Sequence, residues 1–135
     1  MRVSELEGAL LDYWVAMAED VGRKDEDKLS PELWRENGKE SSMCMVWYGG
    51  GCSIEGGRWD QSYCPSSDWQ DGGPIIERER VDLGAVDMMG EGARWCASMG
   101  AGIKRYRAFG PTPLVAAMRA YVGLQFGDEV PDDVL

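Results

Sequence analysis

Residues 63–78 read YCPSSDWQDGGPIIER and concentrate most of the groups in this chain that could do chemistry. Ser67, Asp68 and Asp71 offer hydroxyl and carboxylate oxygens, Trp69 an indole, Tyr63 a phenol, and Glu77 and Arg78 opposite charges. Together they could form a small polar site, with Asp68 or Glu77 as general acid or base. Serine and aspartate also hydrogen-bond to nearby backbone and build turns without any ligand. Asp68, Asp71, Glu77 and Glu79 are the oxygen ligands a hard cation takes, but the spacing of a calcium-binding loop is missing. Asp71-Gly72-Gly73-Pro74 places glycine amides near a helix start, where an anion is stabilised, yet the neighbouring carboxylates oppose it. The reading is therefore a candidate binding surface of Tyr63, Ser67, Asp68, Trp69, Asp71, Glu77 and Arg78. It assigns no catalytic residue, no metal site and no cofactor.

The remainder of the composition narrows the chemistry further. The chain has no histidine, which removes the usual general base, metal ligand and pH switch. A nucleophile–histidine–carboxylate triad cannot exist within it. The formal net charge is −10. That field opposes contact with phosphates and with anionic membranes. It keeps a small protein soluble, and at its sharpest it attracts a basic partner. Lys104-Arg105-Tyr106-Arg107 is a local basic cluster, read as solvent-facing or paired with acidic neighbours. Cysteines at 44, 52, 64 and 96 show no CxxC pair, so neither zinc spacing nor a disulfide framework is evident. The opening MRVSELEG lacks an apolar leader core, and no run approaches the ~18 apolar residues of a membrane span. The expectation is a cytoplasmic protein with reduced, mostly buried thiols. Trp34, Trp47, Trp59 and Trp69 are either core filler or, if exposed together, a protein interface.

These groups need a scaffold. Residues 4–20 have an amphipathic period, with Leu6, Ala9, Leu10, Tyr13, Trp14 and Met17 on one face and Glu5, Asp12 and Glu19 off it. Ser4 and Glu7 have the spacing of a capping box, and Gly22 that of a C-cap. Residues 23–42 read as a charged surface loop with a helical turn begun by Ser30-Pro31. MCMVWY at 43–48 is a strand, with Cys52-Ser53-Ile54 as its expected return and 55–73 as loop. Pro74 suits the first turn of a helix; IIERER fits about two helical turns or a strand, and Glu and Arg favour the helix. A short strand follows around Val81, Leu83 and Val86. Residues 93–99 and 103–109 form a hairpin across Gly100-Ala101-Gly102. Thr112 and Pro113 start a last helix whose stripe is Leu114, Ala117, Met118, Tyr121 and Val122, and Gly127 ends it. The whole is an α+β domain over 1–135: a small antiparallel sheet of three to five strands packed on N- and C-terminal amphipathic helices. It contains a long irregular region at 23–73 and a frayed acidic tail at 128–135.

Three segments taken together, LEGALLDYWVA from Leu6, SSDWQDGGPIIERE from Ser66 and GPTPLVAAMRAYV from Gly110, resemble the bacteriophage NinX-like family. The resemblance implies a phage or prophage protein acting in the bacterial host cytoplasm. It implies no known activity and no catalytic residues. The favoured expectation is a non-enzymatic accessory module that binds a host or phage protein, with self-association as an allied form. A small-ligand binder or enzyme using the 63–78 loop is the alternative, and an acidic decoy of a nucleic-acid-binding protein the third.

Overall fold

The computed structural model describes residues 1–34, 43–48, 58–86 and 94–131. It is α+β, with a helix towards each end, as the sequence predicts. The helices are α1 (Gly8–Asp20), α2 (Trp69–Glu79) and α3 (Pro113–Phe126). Among the described residues six strands form two antiparallel sheets: β1 (Glu32–Trp34), β2 (Met43–Tyr48) and β3 (Arg58–Ser62) in the order β1-β2-β3, and β4 (Asp82–Ala85), β5 (Trp95–Ala101) and β6 (Lys104–Gly110) in the order β4-β5-β6. α3 lies on β5 and β6, and α1 packs on α3 and also on β2.

That second sheet explains why α1 differs from expectation. Leu11, Trp14, Val15, Ala16 and Ala18 are its buried apolar side chains, while Leu10, Tyr13 and Met17 are half-buried around the core. With neighbours on two sides, Asp12, Glu19 and Asp20 are buried too, where the periodicity placed Asp12 and Glu19 away from the core face. The expected capping box is also absent. Val3–Glu5 forms a 3-10 turn, and α1 starts only at Gly8 behind an extended Glu7 whose side chain caps nothing. The competing interaction is with the tail: Val3 N–H donates to the Asp128 carbonyl (2.8 Å), and Met1 and Val130 exchange hydrogen bonds of 2.8 and 2.9 Å. The tail is thus tied down as far as Val130, which is buried, and does not fray from 128.

The region 23–73 is more regular than its composition suggests. Asp20 accepts hydrogen bonds from Leu29 N (2.7 Å) and Ser30 N (2.9 Å), holding Ser30 at a φ of 46°. The turn sends the chain into β1, so no helical turn follows Ser30-Pro31. The partner of β2 is β3, paired as Met45↔Ser62 and Val46↔Gln61, so the expected loop at 55–73 contains a strand. The proposed return at 52–54 lies outside the described residues.

The second half follows the sequence closely. β5 and β6 pair as Ala97↔Ala108 and Met99↔Tyr106, closing on a two-residue turn of Gly102-Ile103. Gly102 has a φ of 62° at the first turn position, which type II′ hairpins reserve for glycine. Thr112 Oγ1 accepts from Val115 N (3.1 Å) and Pro113 is the first residue of α3. All five stripe residues from Leu114 to Val122 are buried, and Ala117, Met118, Tyr121 and Val122 share one core cluster with Ala97, Met99 and Ala108.

Candidate functional site

The chain from Cys64 to Trp69 is built as a rigid turn feeding a helix. Ser67 N and Asp68 N both donate to the Cys64 carbonyl (3.1 and 2.8 Å), and Asp68 caps α2 by accepting from Gln70 N (2.9 Å). One helical turn on, Asp71 reaches back to accept from Cys64 N (3.0 Å). Asp12, on α1, accepts from Ser66 N (2.8 Å) and fixes the turn to the body. α2 begins at Trp69, so Gly72, Gly73 and Pro74 lie inside it and do not precede it. The reason is packing: a Cβ on Gly72 would stand 2.4 Å from the Pro65 carbonyl oxygen and 2.7 Å from Leu114 Cδ2. Only glycine lets α2 come this close to the turn and to the start of α3.

The result is an open pocket of about 530 Å³. One wall is Ser66, Ser67 and Trp69, another is Thr112–Val115 at the start of α3, and Gly8 at the start of α1 completes it. Trp69 is 54% exposed although it is held by the first turn of a helix. Every lining residue belongs to one of the three segments that carry the family resemblance. Of the candidate residues, Ser67 and Trp69 reach this pocket and Asp68 caps the helix beside it. The contributions of Gly8 and Thr112–Val115 were missed. In the sequence Thr112–Val115 read as a helix start and Gly8 as the interior of the first helix, and nothing local says that the two converge.

The other candidates do different work. Glu77 is exposed near the far end of α2; at 1.5 Å per residue it is on the order of 13 Å along the helix from Asp68, too far for a paired acid and base. Glu77 and Glu79 are likewise remote from Asp71. The group that does assemble is Cys64, Asp68 and Asp71, whose ligand atoms lie within 4.8 Å of one another. Its oxygens already accept from Cys64 and Gln70 amides, and burial together with Asp71, Asp12 and Asp68 pushes the Cys64 thiol up, away from the thiolate a metal needs. Cys44 is buried and free, Cys64 and Cys96 half-buried and free.

Arg78 belongs to a structural network. Both of its terminal nitrogens donate to the buried Glu19 carboxylate, one at 3.1 Å, and the Tyr121 hydroxyl donates to the same group at 2.7 Å. Arg23 adds an ion pair at 3.0 Å, and the Arg78 guanidinium sits 5.8 Å from the Tyr121 ring centre. Burial pushes the Glu19 carboxyl up, but the Arg78 and Tyr121 hydrogen bonds and the two positive charges more than offset it, so the carboxyl is held below its usual range. Among the described residues Asp12 forms no ion pair. Burial raises it to about 6 despite its hydrogen bonds from Ser66. Tyr63 is half-buried on the core, and burial with nearby Glu19 and Asp71 keeps its phenol protonated. Trp34 is 41% exposed beside Met43 on the other sheet, away from the residues that line the Trp69 pocket. The side chains of Trp47 and Trp59 lie outside the described part. No described helix is long and apolar enough to cross a membrane.

The family described as Bacteriophage P22, NinX matches residues 2–125, and the chain belongs to that family. No curated protein matches it.

Proposed function

We propose that this NinX-family chain, a phage accessory protein, is a non-enzymatic module that binds a host or phage protein in the bacterial cytoplasm through the pocket beside Trp69. The supporting observation is that three segments spread from Gly8 to Val115 meet there, around an indole left more than half exposed. A rigid, half-desolvated tryptophan beside an apolar wall of Pro113, Leu114 and Val115 has the make-up of a binding hot spot. The chain lacks histidine, and the candidate carboxylates Asp68 and Glu77 sit at opposite ends of α2, which weighs against a reaction at this place. A pocket of about 530 Å³ also suits a small apolar ligand, and that is the second reading. The decoy reading is weakened because Asp12, Glu19 and Asp20 of α1 point inward and form no exposed row.

The test is affinity capture from infected host cells with the wild type and Trp69→Ala. One or a few proteins should be recovered, at least tenfold less with the variant, while both chains unfold at closely similar temperatures. Equal recovery by the two chains refutes the reading.

A further inference from the structure

The pocket beside Trp69 has a neighbour. A groove of about 410 Å³ runs along β6, the edge strand of its sheet, between Tyr106–Gly110 on one side and the N-terminal turn at Val3 and Ser4 on the other, with Arg119 in it. The two cavities adjoin: Glu7 and Pro111 line the groove, while Gly8 and Thr112 line the Trp69 pocket.

Arg119 is the notable group in the groove. It donates Nε–H to the Leu6 carbonyl (2.8 Å) and one terminal N–H to the Phe109 carbonyl (2.9 Å), which orients its fork. Among the described residues it forms no ion pair, although it is half-buried. Burial lowers its guanidinium below the usual range and only Glu7 acts in the other direction. Arg107, also lining the groove, is exposed and again outside the described ion pairs. Thus two arginines face one glutamate here, in a chain whose overall charge is −10. A fixed guanidinium with N–H groups to spare is the donor geometry that carboxylates match.

We infer that the interface extends from the Trp69 pocket into this groove, and that its occupant is an extended partner segment carrying an apolar side chain for the pocket and an acidic one for Arg119 and Arg107. The inference rests on the Trp69 reading. Side chains two residues apart on an extended segment share a face and are on the order of 7 Å apart, so one short segment can present both groups.

The experiment uses the whole ¹⁵N-labelled chain and two capped peptides, Leu-Gly-Glu-Gly and Leu-Gly-Gln-Gly, with the Trp69 indole and Arg119 Nε–H resonances as separate reporters. The glutamate peptide should move both and bind about fivefold tighter than the glutamine peptide, the advantage shrinking in salt. Arg107→Gln, an exposed change that breaks no structural hydrogen bond, should abolish most of that advantage, and Glu7→Gln should enlarge it. Equal binding of the two peptides through Trp69 alone overturns the acidic assignment and leaves the Trp69 pocket standing. A glutamate peptide that moves Arg119 but not Trp69 overturns the joined interface and counts against the pocket itself. No response at either reporter overturns the inference.

Discussion

Gly72 and Gly73 are adjacent in α2, yet replacing each with alanine should change stability by very different amounts. In an isolated helix both changes would gain about 0.5–1 kcal/mol, because alanine loses less conformational freedom than glycine. At Gly73 the new methyl meets nothing beyond its chain neighbours nearer than Trp69 Cε3 at 3.9 Å. But residue 73 precedes Pro74, whose ring crowds a Cβ in helical conformation and offsets the propensity gain, so Gly73→Ala should stay within about 1 kcal/mol of wild type. At Gly72 the methyl would lie 2.4 Å from the Pro65 carbonyl oxygen and 2.7 Å from Leu114 Cδ2. Leu114 can rotate away, but the Pro65 carbonyl is backbone in a turn held by Asp12 and Asp71. Forcing α2 off that turn carries an overpacking penalty of about 1–3 kcal/mol, which exceeds the propensity gain. Urea unfolding should give a midpoint near wild type for Gly73→Ala and one clearly below it for Gly72→Ala, with unchanged slopes. Because α2 carries Trp69 and Leu114 forms the opposite wall, Gly72→Ala should also shift indole fluorescence in the folded state. If Gly72→Ala is as stable as Gly73→Ala, α2 does not sit against the turn and the pocket described here does not exist.

Other perturbations bear on the buried polar groups. Asp12 ionises near 3.8 when unfolded and about 6 when folded, so its burial removes stability as pH rises from about 4 to 6. The change amounts to ~3 kcal/mol, and the stability of Asp12→Asn relative to wild type should therefore grow by that amount between pH 4 and 8, read by denaturant titration at each pH. A pH-independent difference would contradict it. Glu19 acts with the opposite sign: its lowered carboxyl contributes stability above the usual carboxylate range and loses it as pH falls through the folded value. Arg78→Ala should cost about 2 kcal/mol at neutral pH in thermal or urea unfolding, less than a fully buried pair because the guanidinium is half exposed and Arg23 remains. Trp69→Ala, at an exposed position, should change folding stability by no more than about 0.5–1 kcal/mol in the same assay.

How far these features were legible depended on whether the signal was local. Thr112-Pro113 with a following apolar stripe, the MCMVWY run and the two flanks of Gly102 each specify their element within a few residues, and the structure follows them. Where a distant segment competes, the local reading loses. Ser4 and Glu7 have capping spacing, but pairing of Val3 with Asp128 draws that stretch out of the helix. Gly72-Gly73-Pro74 reads as the start of a helix, and tertiary contact with Pro65 and Leu114 makes the first glycine a residue inside it. β3 shows no alternation that would announce a strand, since RWDQS places polar residues on both faces. Asp12 and Glu19 were hardest of all: burial of a carboxylate is decided by Ser66, Arg78 and Tyr121, residues more than fifty positions away. The same applies to the candidate site. Ser67, Asp68 and Trp69 were legible as an unusual cluster, while the Gly8 and Thr112–Val115 walls come from helix starts brought together only by the fold.

The most direct examination of the central claim is site-specific photocrosslinking in infected cells. A benzophenone side chain would replace Ser67, which lines the pocket, and in a parallel chain Ile103, fully exposed at the hairpin tip. The account expects a discrete protein adduct from position 67 that disappears on adding Trp69→Ala, and none from position 103. The same adduct from both positions, or one from 67 that persists without the indole, would contradict it.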